Sequence, residues 1–218
     1  MAASNEPLSP LDSPPEVLTD LLLPVRVADI RFVLNRLTDI ASGVTAGDEV
    51  NLTKSLDPTR VGMFGHSLGG STTAQAMHDD PRTLAGVNLD GPLLGSVVTD
   101  GLNQPLLMLG NDNPRWLNRE NWEPFWPNNS GAKIPLRLSG TEHMAFNDVG
   151  QILPQLVTGG LLAQATSESI IGNSDPRRVL DLQRTYLRAY FDLAFGRTEG
   201  DIADTITHLA QPGIYPHP

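Results

Sequence analysis

The sequence predicts an α/β fold, a mostly parallel sheet flanked by helices. Three observations point there. Apolar segments recur at 61–64, 84–89, 104–109 and 133–138, and each runs into a loop of glycine, asparagine, aspartate or serine. Short uninterrupted apolar runs of this kind are how strands buried on both faces read. Polar residues gather after the end of each strand, where open parallel sheets place their chemistry. The first strand also leads directly into a glycine-flanked serine and then a run that can be helical, Gly70 to His78.

In chain order, residues 1–16 are rich in Pro and Ser (Pro7, Pro10, Pro14, Pro15) and read as a tail without secondary structure. Residues 17–218 read as one domain. Val17 to Leu23 is a short apolar run ended by Pro24. A helix is expected from Val25 to about Asp39, with Val27, Ile30, Val33, Leu34 and Leu37 on one face. A polar loop runs to Pro58, ahead of the first strand. Asp79-Asp80-Pro81 breaks the helix that follows the serine. Between the third and fourth strands, 114–131 holds all three tryptophans, Trp116, Trp122 and Trp126. They read either as anchors onto the core or as a short cap lining an apolar acyl pocket. Ser174-Asp175-Pro176 predicts a helix start, a cap residue followed by Pro in the first turn. That helix should run to about Phe195, stop at Gly196, and bury Leu180, Leu187, Tyr190, Phe191 and Ala194.

The organising stretch is Gly65-His66-Ser67-Leu68-Gly69. A G-x-S-x-G between a strand and a helix is the setting of a nucleophile elbow, in which a sharp turn holds the serine at the positive end of the helix. The glycines let the backbone fold sharply, and side chains there are expected to clash with neighbouring strands. The backbone N–H of Leu68 is then a donor for an oxyanion. Such a serine needs a base, and the base needs a carboxylate to orient it. In α/β-hydrolases these follow in the order Ser, Asp/Glu, His. His143, after the fourth strand, is in place to be the base. His66 sits inside the elbow with its side chain directed away from that of Ser67; His78, His208 and His217 fit less well. Two carboxylates compete for the third role: Asp90, ending the second strand, and Asp112, ending the third, with Asp148 a weaker candidate.

The segments Gly65-His-Ser-Leu-Gly-Gly70, Val87-Asn-Leu-Asp-Gly91 and Ser139-Gly-Thr-Glu-His-Met-Ala-Phe-Asn-Asp148 resemble the platelet-activating factor acetylhydrolase (isoform II) family of α/β-hydrolase esterases. The resemblance spans roughly residues 25–195. It implies Ser67 as nucleophile, Asp90 as acid and His143 as base, because that family carries its acid on the strand directly after the elbow helix. It further implies hydrolysis of short-acyl carboxylic esters through an acyl-serine, with no metal or other cofactor. Asp112 is the alternative acid, expected if the chain were instead a polyester hydrolase.

The pattern departs from the family in one respect. Complete α/β-hydrolases have several strands before the elbow, one ending in a His-Gly-rich loop that supplies a second oxyanion donor. Residues 1–66 contain no His-Gly pair. The expectation is a partial fold whose N-terminal strands are missing, leaving the 61–64 strand as an apolar edge open to homo-oligomerisation. A catalytically impaired fragment serving as an assembly partner, or an acyltransferase on the same fold, are the competing functions. The net charge of −10 and the absence of a Lys/Arg cluster argue against nucleic-acid partners and anionic membranes. No apolar run approaches a membrane span, and with no cysteine there is neither a disulfide framework nor a thiolate metal site. No basic, apolar export signal opens the chain, which leaves the compartment unassigned.

Overall fold

The structure, a computed structural model, describes residues 16–44, 55–113, 122–209 and 211–216. Residues 1–15 of the proposed tail and Trp116 therefore lie outside the described residues, while Glu16, the tail's last residue, is helical. The sheet has five strands in the order β1-β2-β3-β4-β5. These are β1 (Val61–His66), β2 (Thr83–Leu89), β3 (Leu106–Asn111), β4 (Lys133–Leu138) and β5 (Ile214–Pro216). The first four are parallel and β5 closes the far edge antiparallel to β4. Each predicted strand is present; the short β5 was not foreseen. The architecture is that of an α/β-hydrolase sheet.

Alternation within β3 shows why these strands carry no polar face. Leu107 and Leu109 join Ala85, Val87, Ile134 and Leu136 in a core that takes in Val179, Leu182, Tyr186 and Tyr190. Leu106 and Met108 point the other way, to Ala74, Met77, Trp122 and Phe125. Successive side chains of a strand face opposite sides, and here both sides are covered. The first cover is the C-terminal helix Pro176–Ala194, capped by the Asp175 side chain on the Arg178 N–H, 2.8 Å away. Its buried face is Val179, Leu182, Gln183, Tyr186 and Tyr190, rotated from the expected one; Leu187, Phe191 and Ala194 pack at its margin.

The second cover is the elbow helix α2 (Leu68–Asp79), in which every residue from Gly70 to Met77 is buried. It lies this close because β2 passes beneath it at a glycine. A Cβ on Gly86 would sit 2.2 Å from Met77 Sδ and 2.8 Å from Thr73 Cγ2. Outside α2 lies α1 (Leu23–Ala41), preceded by a π-helical stretch, Val17–Leu22. Pro24 does not end the apolar run but occupies the first turn of α1, where its missing N–H costs nothing. Leu23, Val27 and Leu34 are buried, whereas Val33 and Leu37 of the expected face are exposed. Between β3 and β4, Glu123–Asn128 forms a 3₁₀ turn.

Among the described residues β1 pairs only with β2, so its other side is an unpaired edge, and Phe64 on it is 61% exposed. No helix of the described residues is long and apolar enough to cross a membrane. The seating of α2 on β2 can be tested. Gly86→Val should lower the unfolding free energy by about 1–3 kcal/mol through overpacking. A lower urea midpoint at unchanged slope would show this; an unchanged midpoint would mean α2 is not held against that glycine.

Candidate active site

The parallel register sets the site. His66 pairs with Leu89, and Leu89 with Leu109. The residues after these pairs therefore leave the sheet together at its C-terminal edge. Ser67 N–H donates to Leu89 O at 2.9 Å, and Asp90 N–H to Leu109 O at 2.9 Å. Both residues have positive φ, 58° at Ser67 and 55° at Asp90. For residues with a Cβ this is an uncommon, strained backbone. Each corner turns its side chain away from the line of its strand.

Close backbone approach makes the corners possible. A Cβ on Gly65 would lie 2.4 Å from the backbone of Gly69, and one on Gly91 would lie 2.1 Å from Ser67 O. Gly69 differs from expectation: a Cβ there would meet only Arg26, at 3.9 Å, so close packing does not require a glycine at this position. Asn88 braces the second corner, its amide oxygen accepting from Gly91 N–H and its amide nitrogen donating to Gly91 O. Leu68 opens α2, so its N–H has no intrahelical partner upstream.

The short turn His143–Phe146 carries the base candidate over both corners. His143 Nδ1 is 2.7 Å from Asp90 Oδ2, and His143 Nε2 is 3.0 Å from Ser67 Oγ. A carboxylate only accepts hydrogen bonds, so Nδ1 carries the proton and the Nε2 lone pair faces the serine hydroxyl. Asp90 and His143 are both buried. Asn111 completes the carboxylate's shell: its backbone N–H donates to Oδ1 at 2.6 Å, and Nδ2 lies 2.8 Å from each oxygen.

The competing acid faces elsewhere. Asp112 accepts from Gly140 N–H, at 3.0 and 3.1 Å, and caps the loop leading to His143. Asp148 precedes the helix Val149–Thr158 and accepts from Gln151 and Ile152 through its carbonyl. Trp122 is wholly buried; its Nε1 donates to Gly91 O at 2.9 Å, and the Arg137 guanidinium stacks 4.5 Å over its ring. Arg137 in turn donates to Asn111 O. Trp122 thus braces the Asp90 corner from the core side, and Trp126 packs edge-on against it.

His66, Asp90 and His143 offer ligand atoms within 4.8 Å of one another. Asp90 already accepts from Asn111 and His143, and both nitrogens of His66 have protein partners at hydrogen-bond distance. The grouping is built as a proton-holding network. Asn111 and Asn147 escaped sequence reasoning because an asparagine in a loop after a strand reads as turn chemistry, and Asn88 because it lies inside an apolar strand. If Asn111 holds the buried Asp90 carboxylate, Asn111→Ala should cost about 1.5–3 kcal/mol at neutral pH, the worth of hydrogen bonds to a charged group. Urea denaturation measures this, and an unchanged stability would remove Asn111 from the account.

Residues 19–201 match the platelet-activating factor acetylhydrolase, isoform II, family. A probable 1-alkyl-2-acetylglycerophosphocholine esterase from Arthroderma benhamiae is 29% identical over 187 residues, covering 81% of this chain and 44% of that protein. The platelet-activating factor acetylhydrolase of Gallus gallus is 24% identical over 160 residues, 68% of this chain and 36% of that protein. Among solved structures, a ferulic acid esterase from Streptomyces cinnamoneus superposes with a TM-score of 0.72 at 30% identity, covering 89% of this chain and 54% of that one. The chain spans less than half the length of these curated relatives. The match over most of its length nonetheless shows that the chain belongs to the platelet-activating factor acetylhydrolase, isoform II, family.

Proposed function

We propose that this chain is a serine carboxylic-ester hydrolase that cleaves short-acyl esters through an acyl-serine. The observation that carries the reading is the continuous hydrogen-bond line from Asp90 Oδ2 through His143 to Ser67 Oγ, at 2.7 and 3.0 Å. His143 takes the hydroxyl proton as Ser67 Oγ attacks the ester carbonyl. Asp90 holds the Nδ1–H tautomer and stabilises the imidazolium. The tetrahedral oxyanion faces the Leu68 N–H at the start of α2. Collapse expels the alkoxide, which leaves as the alcohol with the proton from His143 Nε2. Water then attacks the acyl-serine with His143 again as base, releasing the carboxylic acid and restoring Ser67. The fungal relative's name gives an acetyl ester as that protein's substrate, and a small acyl group is the class we infer here.

One oxyanion donor is assigned, and lacking a second costs about 2.7–4 kcal/mol, roughly 10²–10³ in rate. The edge of β1, unpaired among the described residues and with Phe64 exposed, favours a second reading in which this surface pairs with another copy of the chain. On a sizing column the protein should then elute above its 23.5 kDa, and Phe64→Lys should shift it towards monomer. A monomer at all concentrations would contradict the pairing.

The esterase reading is tested with p-nitrophenyl acetate. Ser67→Ala should abolish turnover. Asp90→Asn should lower kcat by about 10⁴, the effect of losing the carboxylate that fixes the tautomer, while Asp112→Asn stays within a few-fold of the parent. Loss of turnover in Asp112→Asn alone would overturn the assignment of the acid.

A further inference from the structure

We infer that His66 is a positioning residue, a neutral imidazole oriented by Asn147 that clamps the backbone of His143 to the residue adjoining Ser67. The inference rests on the Ser67–His143 reading above.

The direction of each hydrogen bond follows from the one before it. Val149 N–H donates to Asn147 Oδ1 at 2.9 Å, which fixes the orientation of that amide. Asn147 Nδ2, necessarily a donor, lies 3.2 Å from His66 Nδ1, which must accept. The proton of a neutral His66 is then on Nε2, and Nε2 is 2.8 Å from the carbonyl oxygen of His143. The chain of donors closes only if His66 is uncharged. A proton on Nδ1 would face the Asn147 amide hydrogens and break the line.

The clamp spans the distance that matters to the reaction. His66 is the last residue of β1, directly before Ser67, and it is held by the backbone of the residue whose Nε2 faces Ser67 Oγ. The two imidazole rings lie 4.5 Å apart with planes at 40°. The ionisable groups acting on His66 are His143, from the 143–146 turn, and Asp90, from the end of β2. Burial, and secondarily the charge on His143, hold its pKa below the ordinary histidine value. His66 therefore stays neutral when His143 becomes imidazolium, and the clamp stays closed during the step that needs it. Acid opens it, because a second cation forms beside the base.

Three measurements test the clamp. His66→Leu should lower kcat about 10–100-fold with KM within about twofold, the size of effect that a slight misplacement of a reacting group produces. His66→Gln, whose amide can donate to the same carbonyl, should recover most of the loss. In the parent, part of the acid-side loss of kcat/KM should come from protonation of His66, so the acid limb of His66→Gln should fall less steeply than that of the parent. Should His66→Leu fail to fold, Asn147→Leu releases the clamp from its outer side and is expected to show the same kcat loss. Independently of turnover, ¹⁵N-histidine NMR of Ser67→Ala should show His66 as the neutral Nε2–H tautomer. A Nδ1–H tautomer, an undiminished kcat in His66→Leu, or equal impairment of the Leu and Gln variants would overturn the inference. Turnover surviving Ser67→Ala would overturn the esterase reading instead, and the tautomer measurement would still report on the clamp.

Discussion

The site depends on the register of three parallel strands. Leu89 pairs with His66 on one side and Leu109 on the other. That single alignment brings Ser67 and Asp90 out of the sheet at one level, with Asn111, the last residue of β3, beside them. A slip of one residue would turn every side chain on the shifted strand to the opposite face, and the burial of β2 from Ala85 to Leu89 and of all of β3 opposes it. The core thus does more than stabilise. Its interlocked leucines, Leu107 and Leu109 towards the C-terminal helix and Leu106 and Met108 towards α2, fix where the polar corners emerge.

Two strained corners are held at that edge, and packing holds both. Ser67 is tethered by its N–H to β2, and its carbonyl accepts from Gly70 and Ser71 in the first turn of α2. Asp90 is tethered by its N–H to β3, with Asn88 and Trp122 gripping Gly91 behind it. Such positive-φ residues persist only where the surroundings over-determine them. Two glycines make room for these corners: Gly91 passes against the Ser67 backbone of the opposite corner, and Gly65 against the Gly69 backbone across its own turn. His143 then needs only a short turn to reach both corners, and His66 and Asn147 tie that turn back to β1.

Much of this was legible in the sequence, for a physical reason. β2, β3 and β4 are covered over most of both faces and have no polar alternation to blur them, while β1 was visible as an apolar run although its Gly62 and Phe64 are exposed. The Ser67 elbow was visible because backbone contact demands a glycine at 65, and the Asp175-Pro176 helix start because capping is local. Asp90 and Asp112 looked alike because both follow a strand. What distinguishes them is direction, and only the fold reveals that Asp112 turns to Gly140 while Asp90 turns to His143. Trp122 belonged to a stretch read as either pocket or anchor; its indole N–H proves to be satisfied by a buried carbonyl. The 149–171 segment, with Pro154 inside one helix and two glycines after it, hid two helices, Val149–Thr158 and Gln164–Ile171. Val33 and Leu37 of α1 sit on the face that helical periodicity alone would bury, yet both are exposed.

The central claim is that Ser67, His143 and Asp90 form a working nucleophile in this chain. The most direct test is covalent: incubate the purified protein with a p-nitrophenyl alkylphosphonate and follow intact mass and peptide mapping. The account predicts one phosphonyl group per chain with release of p-nitrophenolate, located on Ser67 within the tryptic peptide 61–82 and lost in His143→Ala. An unmodified chain, or label on another residue at the same rate in His143→Ala, would contradict it.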